Sequence, residues 1–597
     1  PIKIDWDWTT PFVHINRLRV SNVPGSKDPD MVAIDDIDFH IKIWRLLEGQ
    51  LNLPDIELTK PHIVLEKVDA DHKNWDFPAM SKASAVGHAA LPTHRGNVPV
   101  LGTLTIHDGD LIYRDPTKGL SVDLDIDTAD ASGGEHGTFT IAGKGELQDK
   151  PFQLKAQGGA LAMLRETKIA YPLNLHLRMG ATRIDVDGTF TDPVKMEGVD
   201  TKLDLRGDNL ADLFYLTAIP LPPTPAYQLS GHLVKNGDLW TFDPFRGKVG
   251  ESDLEGNLSY DTSAERGYMK ASLASKLLDM KDLSGFIGAK PAAKGAAAAA
   301  LKDPNRHILP DMPLDLERLR ATDLDVDFKA TKVLQPGLPM DDMHIGFHLK
   351  DGVLRLNPFE FGIANGKIGG NLVLNGSRQV PAVEADLSLT RLSLKQFFND
   401  TRFAPLAAGF IGGHFKLSGN GKSLAQVLGS SDGHTTFLMT GGTISQLIVD
   451  AAGLDLGKAT PILLDKDKPT GIRCLVGDFN VKSGMLDSDV LVFDTTISNI
   501  NGDAHINLKD ETIDARIEAH PKEASVAAGT AILIGGHLAK PSVGLDPKEE
   551  AARVGVAVAL SAVLTPLAAV IPFIELGLGK DSDCQGLIEQ ARAQNRK

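Results

Sequence analysis

The chain alternates apolar and polar residues almost from end to end, which is the pattern of half-buried β-strands. The clearest runs place apolar residues at every second position: Ile37, Phe39, Ile41 and Ile43; Leu120, Val122, Leu124 and Ile126; Leu173, Leu175, Leu177 and Met179; Leu324, Val326 and Phe328; Ile345, Phe347 and Leu349; Ile506 and Leu508. Because successive side chains of a strand point to opposite faces, each strand has one apolar and one polar face. The pattern predicts a mainly β fold that consists of an antiparallel sheet with one face exposed to solvent.

Turn glycines recur at a fixed spacing, which predicts repeated hairpins. The copies are KNGDL (235–239), KDGVL (350–354) and KSGML (482–486), and a second glycine follows the first after 18 or 19 residues: Gly237 and Gly256, Gly352 and Gly370, Gly484 and Gly502. Asn-Gly and Asp-Gly supply the positive φ of tight hairpin turns. Short D-L-x-x-L-like segments between the strand runs predict a few helices of one or two turns.

Two segments interrupt the strand pattern and suggest a division of the chain. An alanine-rich stretch, 289–306, predicts a linker between an amino-terminal β half (1–288) and a carboxyl-terminal β half (307–546). The remaining residues, 547–597, include 21 consecutive uncharged residues from Val554 to Ile574. That length allows a membrane span, but Pro566 and Pro572 favour a kinked helical cap on the apolar face or at the open end of the sheet.

Composition and charge exclude several classes of protein. Of the 597 residues, 42% are hydrophobic and 23% are charged, near the values of ordinary globular domains, so neither wholesale disorder nor a polytopic membrane protein fits. A net charge of −16 argues against nucleic acid as a partner. The chain starts at Pro1 rather than Met, and we expect that a signal sequence or membrane anchor preceded it.

No constellation of residues indicates catalysis, a metal site or a cofactor. GKS (421–423) lacks the first glycine of a phosphate-binding loop, because Lys416 stands at that position. The carboxylates Asp123, Asp125 and Asp127 fail the calcium-loop pattern, and His344 and His348 fall on the polar face of a strand. We therefore predict that the protein is not an enzyme. The two cysteines, Cys474 and Cys584, are either independent buried thiols or a disulfide on count alone.

A long sheet with one apolar face and few helices to cover it would aggregate unless that face is occupied. The face either closes into a sandwich, binds a partner or forms a groove for something apolar. Transferring an acyl chain of about 16 carbons into water costs about 13 kcal/mol, whereas an apolar groove removes most of that cost. The alternating residues given above, from Ile37 to Leu508, are the candidate lining of a lipid groove.

Several segments resemble the AsmA family of bacterial envelope proteins. They are RLLEGQLNLPDIELTKPHIVLEK (45–67), NWDF (74–77), GDNLADLFYLTAIPLPPTPAYQLSGHL (207–233), RGKVGESDLEGNLSYD (246–261), RCLVGDFNVKSGML (473–486), FDTT (493–496), IGGHLAKPSV (534–543) and DC (583–584). The resemblance spans essentially the whole chain.

The resemblance implies an elongated, curved, repeating β-groove in the periplasm of a Gram-negative bacterium, anchored to the inner membrane by a helix upstream of Pro1. Such a protein would carry phospholipid or another membrane lipid between membranes and support outer-membrane biogenesis. The oxidising periplasm implies a disulfide between Cys474 and Cys584. The alternative is an envelope assembly factor that engages outer-membrane or other envelope proteins without conducting lipid.

Overall fold

The computed structural model describes residues 2–23, 26–47, 52–67, 73–75, 100–117, 119–128, 138–160, 163, 169–193, 196–217, 221, 223–264, 266–282, 307–311, 313, 314, 316–335, 340–397, 404–446, 449, 467–522, 524–526, 531–546, 574–576 and 579–594. The predicted linker 289–306 and the uncharged stretch up to residue 573 lie outside these residues.

The predicted mainly β fold with a few short helices is confirmed. The strands of the amino-terminal part are β1 (Ile2–Asp5), β2 (Phe12–Ser21), β3 (Asp30–His40), β4 (Asn52–Thr59), β5 (His62–Glu66), β6 (Val100–His107), β7 (Gly109–Asp115), β8 (Leu120–Thr128), β9 (Phe139–Leu147), β10 (Lys150–Gly158), β11 (Tyr171–Met179), β12 (Thr182–Phe190), β13 (Val199–Gly207), β14 (Tyr227–Asn236), β15 (Leu239–Val249) and β16 (Ser252–Asp261). Helices of the same part span Ile43–Leu47 and Phe214–Thr217, the latter preceded by a 3-10 turn at Leu210–Leu213.

The remaining strands are β17 (Gly267–Asp279), β18 (Thr322–Leu334), β19 (Met340–Lys350), β20 (Val353–Ile363), β21 (Gly366–Asn375), β22 (Ala382–Ser393), β23 (Phe410–Asn420), β24 (Asp432–Thr440), β25 (Thr443–Ser445), β26 (Pro469–Lys482), β27 (Met485–Thr495), β28 (Ser498–Asn507), β29 (Thr512–Pro521), β30 (Ala524–Val526), β31 (Ile532–His537), β32 (Ser542–Leu545) and β33 (Ile574–Leu576). Helices span Leu316–Ala321, Leu394–Phe397, Leu424–Gly429 and Cys584–Gln594, with a 3-10 turn at Ala404–Leu406. Among the described residues, no helix combines the length and the apolar character that crossing a bilayer requires.

The chain forms two compact units. The first comprises residues 1–221, 225–249 and 255–265, and the second comprises 222–224, 250–254 and 266–597. The strands that flank the predicted linker, β17 and β18, pair with each other inside the second unit. The division between the units therefore falls earlier in the chain than residues 289–306.

Most strand pairs are antiparallel, as predicted, but two junctions are parallel. In the first unit β4 and β5 lie end to end beside β3, and β6 and β7 run parallel to them. In the second unit β17 and β18 are parallel over their whole length. A parallel pair requires a crossover of a dozen or more residues. Residues 80–97 belong to the connection between β5 and β6, and the predicted linker 289–306 belongs to that between β17 and β18.

The repeated KxGxL segments form hairpin turns, as predicted. Asp351 and Gly352 both have positive φ, +54° and +75°, and join β19 to β20, whereas Ser483 and Gly484, with φ of +50° and +79°, join β26 to β27. Positive φ at both central residues is the geometry that matches the twist of two-residue hairpins. The turn between β14 and β15 also contains its repeat glycine, Gly237 with φ of +58°, but its second central residue, Asp238, does not have positive φ.

The second glycine of each repeat is not a turn residue, which corrects the sequence interpretation. Gly256, Gly370 and Gly502 lie inside strands β16, β21 and β28. A Cβ at Gly370 would stand 2.0 Å from the backbone oxygen of Asp386, and one at Gly502 would stand 2.1 Å from that of Arg516. The spacing therefore reflects close backbone approach between neighbouring strands as well as turn chemistry.

The predicted strand 37–43 is too long at its end. β3 stops at His40, and Ile43 is the first residue of the helix Ile43–Leu47. Backbone N–H groups of Ile41 and Ile43 donate to Pro11 and Thr9 carbonyls at 3.1 and 3.3 Å, outside the strand ladder. Alternation alone did not reveal this because Ile41, between strand and helix, and Ile43, at the first helical position, continue the same spacing.

Candidate functional site

The pairing register of the first unit brings alternating apolar residues into continuous rows. One row crosses eight neighbouring strands, β7 to β14, through Leu111, Leu124, Gly143, Leu154, Leu177, Ile184, Leu205 and Leu229. With strands about 4.8 Å apart, the row is roughly 34 Å long. The predicted lining residues Leu124 and Leu177 belong to this row, and Leu120, Val122, Ile126, Leu173 and Leu175 lie on the same face of their strands.

A longer row crosses the second unit. It runs over 13 strands through Ala271, Val326, Phe347, Leu356, Leu372, Ala385, Leu417, Gly433, Val481, Leu486, Ile506, Ile513 and Gly536. Parallel to it, Leu324 pairs with Leu349 and Phe328 with Ile345. Leu508 follows the end of β28, where its N–H donates to the Gly484 carbonyl at 2.9 Å. The predicted lining residues that lie within strands of this half thus share one face.

The apolar face of the first unit also reaches the edge of the sheet. Ile37 pairs with Ile15 on one side and Leu58 on the other, and Ile15 pairs with Ile2 of β1. Phe39 stands between Val13 and Ile56 in the same way. Among the described residues β1 pairs only with β2, so its apolar side chains end the rows. Of the predicted residues in this region, Ile41 and Ile43 lie beyond the strand.

Most row side chains are half-buried rather than fully buried. Leu124, Leu177 and Val326 keep part of their surface in contact with solvent, and so do their neighbours Val122 and Leu175. Buried apolar side chains occur at strand ends, where Tyr171 pairs with Phe190 and its ring lies 6.3 Å from that of Phe139, and also inside strands, as at Val186 and Leu203. Burial raises the pKa of Tyr171, whose hydroxyl donates to the Gly159 carbonyl at 2.6 Å.

In the second unit a packed cluster interrupts this half-buried face. Phe328 and Ile345 are buried with Leu278, Val333 and Met343, and Leu349 is also buried. Phe347, Leu356 and Phe359 pack against the cluster while keeping partial exposure. The residues next to the row are thus buried between β17 and β20, while Val326, Phe347 and Leu356 of the row itself remain partly exposed.

At some row positions a strand carries a glycine in place of an apolar residue. In β9 the row positions are Gly143 and Gly145, and a Cβ at Gly143 would stand 2.4 Å from Cδ2 of Leu124. The neighbouring leucine therefore covers the glycine and keeps the row apolar. Sequence reasoning missed these positions because glycine counts as neither apolar nor polar in an alternation pattern.

The opposite face of the sheet carries cross-strand pairs of histidine and carboxylate. Direct pairs with nitrogen to oxygen distances of 2.5 or 2.6 Å are His14 and Asp38, His62 and Asp110, His176 and Asp185, His348 and Asp325, and His505 and Asp487. Such cross-strand pairs on one face stabilise neighbouring strands. His344 pairs with Asp327 at 2.6 Å. His344 and His348, which the sequence analysis weighed as metal ligands, thus each face a carboxylate of the neighbouring strand.

In two of these pairs the hydrogen bonds shift the pKa of a paired side chain. The hydroxyl of Tyr268 donates to Asp325 at 2.5 Å, and this bond, together with the one from His348, lowers the pKa of Asp325. The same contact with Asp325 raises the pKa of His348, helped by a bond to the Asn357 carbonyl at 3.0 Å. The bonds from His176 and Arg206 lower the pKa of Asp185.

The carboxyl-terminal helix is fixed to this opposite face, not to the apolar face. Cys474 and Cys584 form a disulfide with Cα atoms 5.8 Å apart. Ile588 and Ala591 of the helix pack on Cys474 and Val476, which project from β26 on the side away from Val481 and its row. The prediction of a cap on the apolar face or at the open end rests on the uncharged stretch 554–574, which lies outside the described residues up to residue 573, so it stays a prediction.

A buried ion network holds the chain next to the disulfide. Asp494 is fully buried and accepts hydrogen bonds from Lys522 at 2.6 Å, from Arg473 at 3.0 Å and from the backbone N–H of Ser582 at 3.0 Å. Lys522 also reaches Asp581 at 2.6 Å and lowers the pKa of that carboxyl. Cys474, Asp494 and Cys584 lie within 4.8 Å of one another, but the disulfide leaves no thiolate to bind a metal.

Comparison with known proteins agrees with the sequence resemblance. The model of the AsmA family matches residues 2–491. The AsmA family protein YhjG of Escherichia coli (strain K12) is 28% identical over 620 aligned residues, which cover 98% of this chain and 89% of the relative. No solved structure matches the chain.

Proposed function

The chain belongs to the AsmA family, and from this premise we propose that it carries phospholipid or another membrane lipid along the apolar face of its sheet, without catalysis. The acyl chains lie along the apolar rows and the head groups face solvent. Membership of a family of bacterial envelope proteins supports a place in the periplasm, where lipid must cross an aqueous space. Outer-membrane biogenesis would consume the lipid that is carried.

One observation carries this proposal: apolar residues stay in register across neighbouring strands while their side chains remain only half-buried. A closed sandwich would bury the centre of each row, yet Leu124, Leu154 and Leu177 keep solvent contact. The uncovered apolar surface is unfavourable by about 25 cal/mol for each Å². An acyl chain that covers the row removes this surface from water and is itself removed from water.

The rows suit transfer rather than tight binding of a single lipid. Each row consists of methylene and methyl groups at similar spacing, and a glycine in it is covered by a neighbour, as at Gly143. An acyl chain therefore meets nearly the same surface at each step along a row. Equal affinity at successive positions lets a ligand move without a high barrier, and no energy-coupling residue is required on the face itself.

The experiment compares two substitutions of neighbouring residues on opposite faces of β11. Leu177→Asp introduces a charge into the row, whereas Arg178→Asp places the same group on the exposed polar face. Lipid that co-purifies with each protein is quantified by mass spectrometry. We expect a several-fold loss of lipid for Leu177→Asp and no loss for Arg178→Asp. Equal lipid content in the two variants would contradict the proposal.

A second candidate function rests on the exposed strand β32. Ser542, Val543 and Gly544 are exposed, and β32 pairs only with β31 among the described residues. An unpaired strand edge can accept a strand from another protein. This favours an envelope assembly factor that engages an outer-membrane protein. A photo-crosslinker at Val543 that captures polypeptide, in a protein that retains no lipid, would support this candidate over lipid carriage.

A further inference from the structure

Three of the five tryptophans of the chain are among its most exposed residues, and they cluster at one edge of the first unit. Trp6, Trp8 and Trp44 are 79%, 92% and 66% exposed. Ile2 and Ile4 of the neighbouring edge strand are 66% and 46% exposed. Large apolar side chains are rarely left in water as a group, so such a patch marks an interaction surface. We call these five residues the tryptophan patch.

Backbone contacts hold the patch together. The N–H of Ile43 donates to the Thr9 carbonyl at 3.3 Å, which places Trp44 and Trp8 one residue from either end of the same hydrogen bond. Asp7 accepts bonds from the N–H and the hydroxyl of Thr9 at 3.0 and 2.9 Å, and these bonds lower the pKa of the Asp7 carboxyl. The turn between Trp6 and Thr9 is therefore ordered, although its indoles are exposed.

The tryptophan patch continues the apolar rows to the edge of the sheet. Ile2 pairs with Ile15 and Ile4 pairs with Val13 on β2. Ile15 and Val13 in turn pair with Ile37 and Phe39. The rows end at Ile2 and Ile4 of β1, and Trp6 and Trp8 follow β1 directly in the chain.

The charge around the patch is unlike that of the whole chain. Residues 2–8 and 41–45 contain Lys3, Lys42 and Arg45 against Asp5 and Asp7, whereas the chain as a whole carries a net charge of −16. Lys3 and Lys42 are exposed, as is Arg45. Indoles flanked by Lys and Arg are the combination that favours the boundary between lipid head groups and acyl chains.

We propose that the tryptophan patch docks the first unit on the surface of an anionic lipid bilayer, with its indoles at the level of the head groups and its cations against lipid phosphates. The apolar rows then begin at the bilayer surface. Docking requires only contact with lipid and not lipid movement, so this inference goes beyond the proposed function and can fail or succeed independently of it.

The test measures binding of the full chain to vesicles of phosphatidylethanolamine and phosphatidylglycerol by flotation and by tryptophan emission. The variant is the triple substitution Trp6→Ser, Trp8→Ser and Trp44→Ser. The matched control replaces three exposed apolar residues elsewhere in the first unit by serine: Met196, Phe214 and Leu239, which are 45%, 45% and 43% exposed.

We expect the wild-type protein and the control to bind, with a blue shift of emission on binding. The tryptophan variant should lose about tenfold or more in apparent affinity, because interfacial binding scales with the apolar area that enters the interface. Vesicles of phosphatidylcholine alone should bind more weakly. Equal vesicle binding by the tryptophan variant and the wild-type protein would overturn the proposal. It would also be overturned if the wild-type protein binds no vesicle and the tryptophan substitutions abolish its self-association instead. Co-purifying lipid is measured for the same proteins, so a failure of docking is distinguished from a failure of lipid carriage.

Discussion

Cys584, the first residue of the carboxyl-terminal helix, is bonded to Cys474 in β26, 110 residues earlier in the chain. Cys474 is fully buried and projects from the face of β26 opposite the apolar row. The bond therefore fixes the end of the chain behind the sheet and leaves the apolar face of β26 uncovered by this helix. In the proposed function the helix therefore fixes the end of the chain and does not cover the apolar row at β26.

Removing the disulfide should release the carboxyl-terminal helix without emptying the apolar face. A bond that closes a loop of this length contributes about 4–5 kcal/mol in the chain-entropy treatment, and loss of native disulfides costs about 2–5 kcal/mol. We expect Cys584→Ser to unfold at lower urea concentration and to be cleaved by protease near residue 580, while lipid content stays unchanged. Cys474→Ser combined with Cys584→Ser should behave like the single variant. Loss of lipid in parallel with loss of the helix would mean that the helix covers the ligand.

The buried carboxylate beside the disulfide should be more important for stability than its exposed neighbour. Asp494→Ala leaves Lys522, whose side chain is only 11% exposed, without its buried partner. Breaking a buried pair in this way costs about 3–5 kcal/mol. Asp581→Ala removes an exposed partner of the same lysine, and we expect a much smaller effect from it. Thermal unfolding of the two variants gives the comparison, and equal loss of stability would contradict the buried network.

The pair of Asp325 and His348 should make stability depend on pH in a defined window. The pKa of His348 is raised, so its contribution is full below the ordinary histidine value of about 6.5 and is lost as pH rises through the raised pKa. The pKa of Asp325 is lowered, so its contribution is present above the ordinary value of about 3.8 and is lost as pH falls through the lowered pKa. The pair is therefore most stabilising between these limits.

Histidine hydrogen–deuterium exchange read by mass spectrometry measures the pKa of His348 directly. We expect Asp325→Asn to bring it down towards the ordinary value, because the neutral amide no longer favours the imidazolium. Tyr268→Phe removes the other hydrogen bond to Asp325 and should leave the pKa of His348 raised. An unchanged pKa in Asp325→Asn would show that the carboxylate is not the cause.

Much of this fold follows from the alternation of apolar and polar residues, because a strand converts period two directly into two faces. Leu173, Leu175 and Leu177 share a face for this reason alone. The hairpin turn at Gly352 is also readable, since only a few residues adopt positive φ without strain. The family is also readable from the sequence alone, since local segments resemble the AsmA family, whose model matches residues 2–491.

Other features depend on contacts that are distant in sequence. The parallel pairing of β17 with β18 joins residues that are more than 50 positions apart, and no local pattern encodes it. The end of β3 at His40 is determined by hydrogen bonds to the segment around Thr9 and Pro11. Exposure of Trp8 and Trp44 is likewise a property of the packed chain, since tryptophans in a sequence are ordinarily predicted to be buried.

The most direct test of lipid carriage places a photo-crosslinking amino acid on each face of the same strand in lipid-loaded protein. Leu124 and Val326 are row positions of β8 and β18, and Asp123 and Asp325 are their neighbours on the polar face. After irradiation, adducts are identified by mass spectrometry. Lipid occupancy of the rows predicts lipid adducts at residues 124 and 326 and none at residues 123 and 325. Adducts at both faces in equal yield, or at neither, would contradict the account.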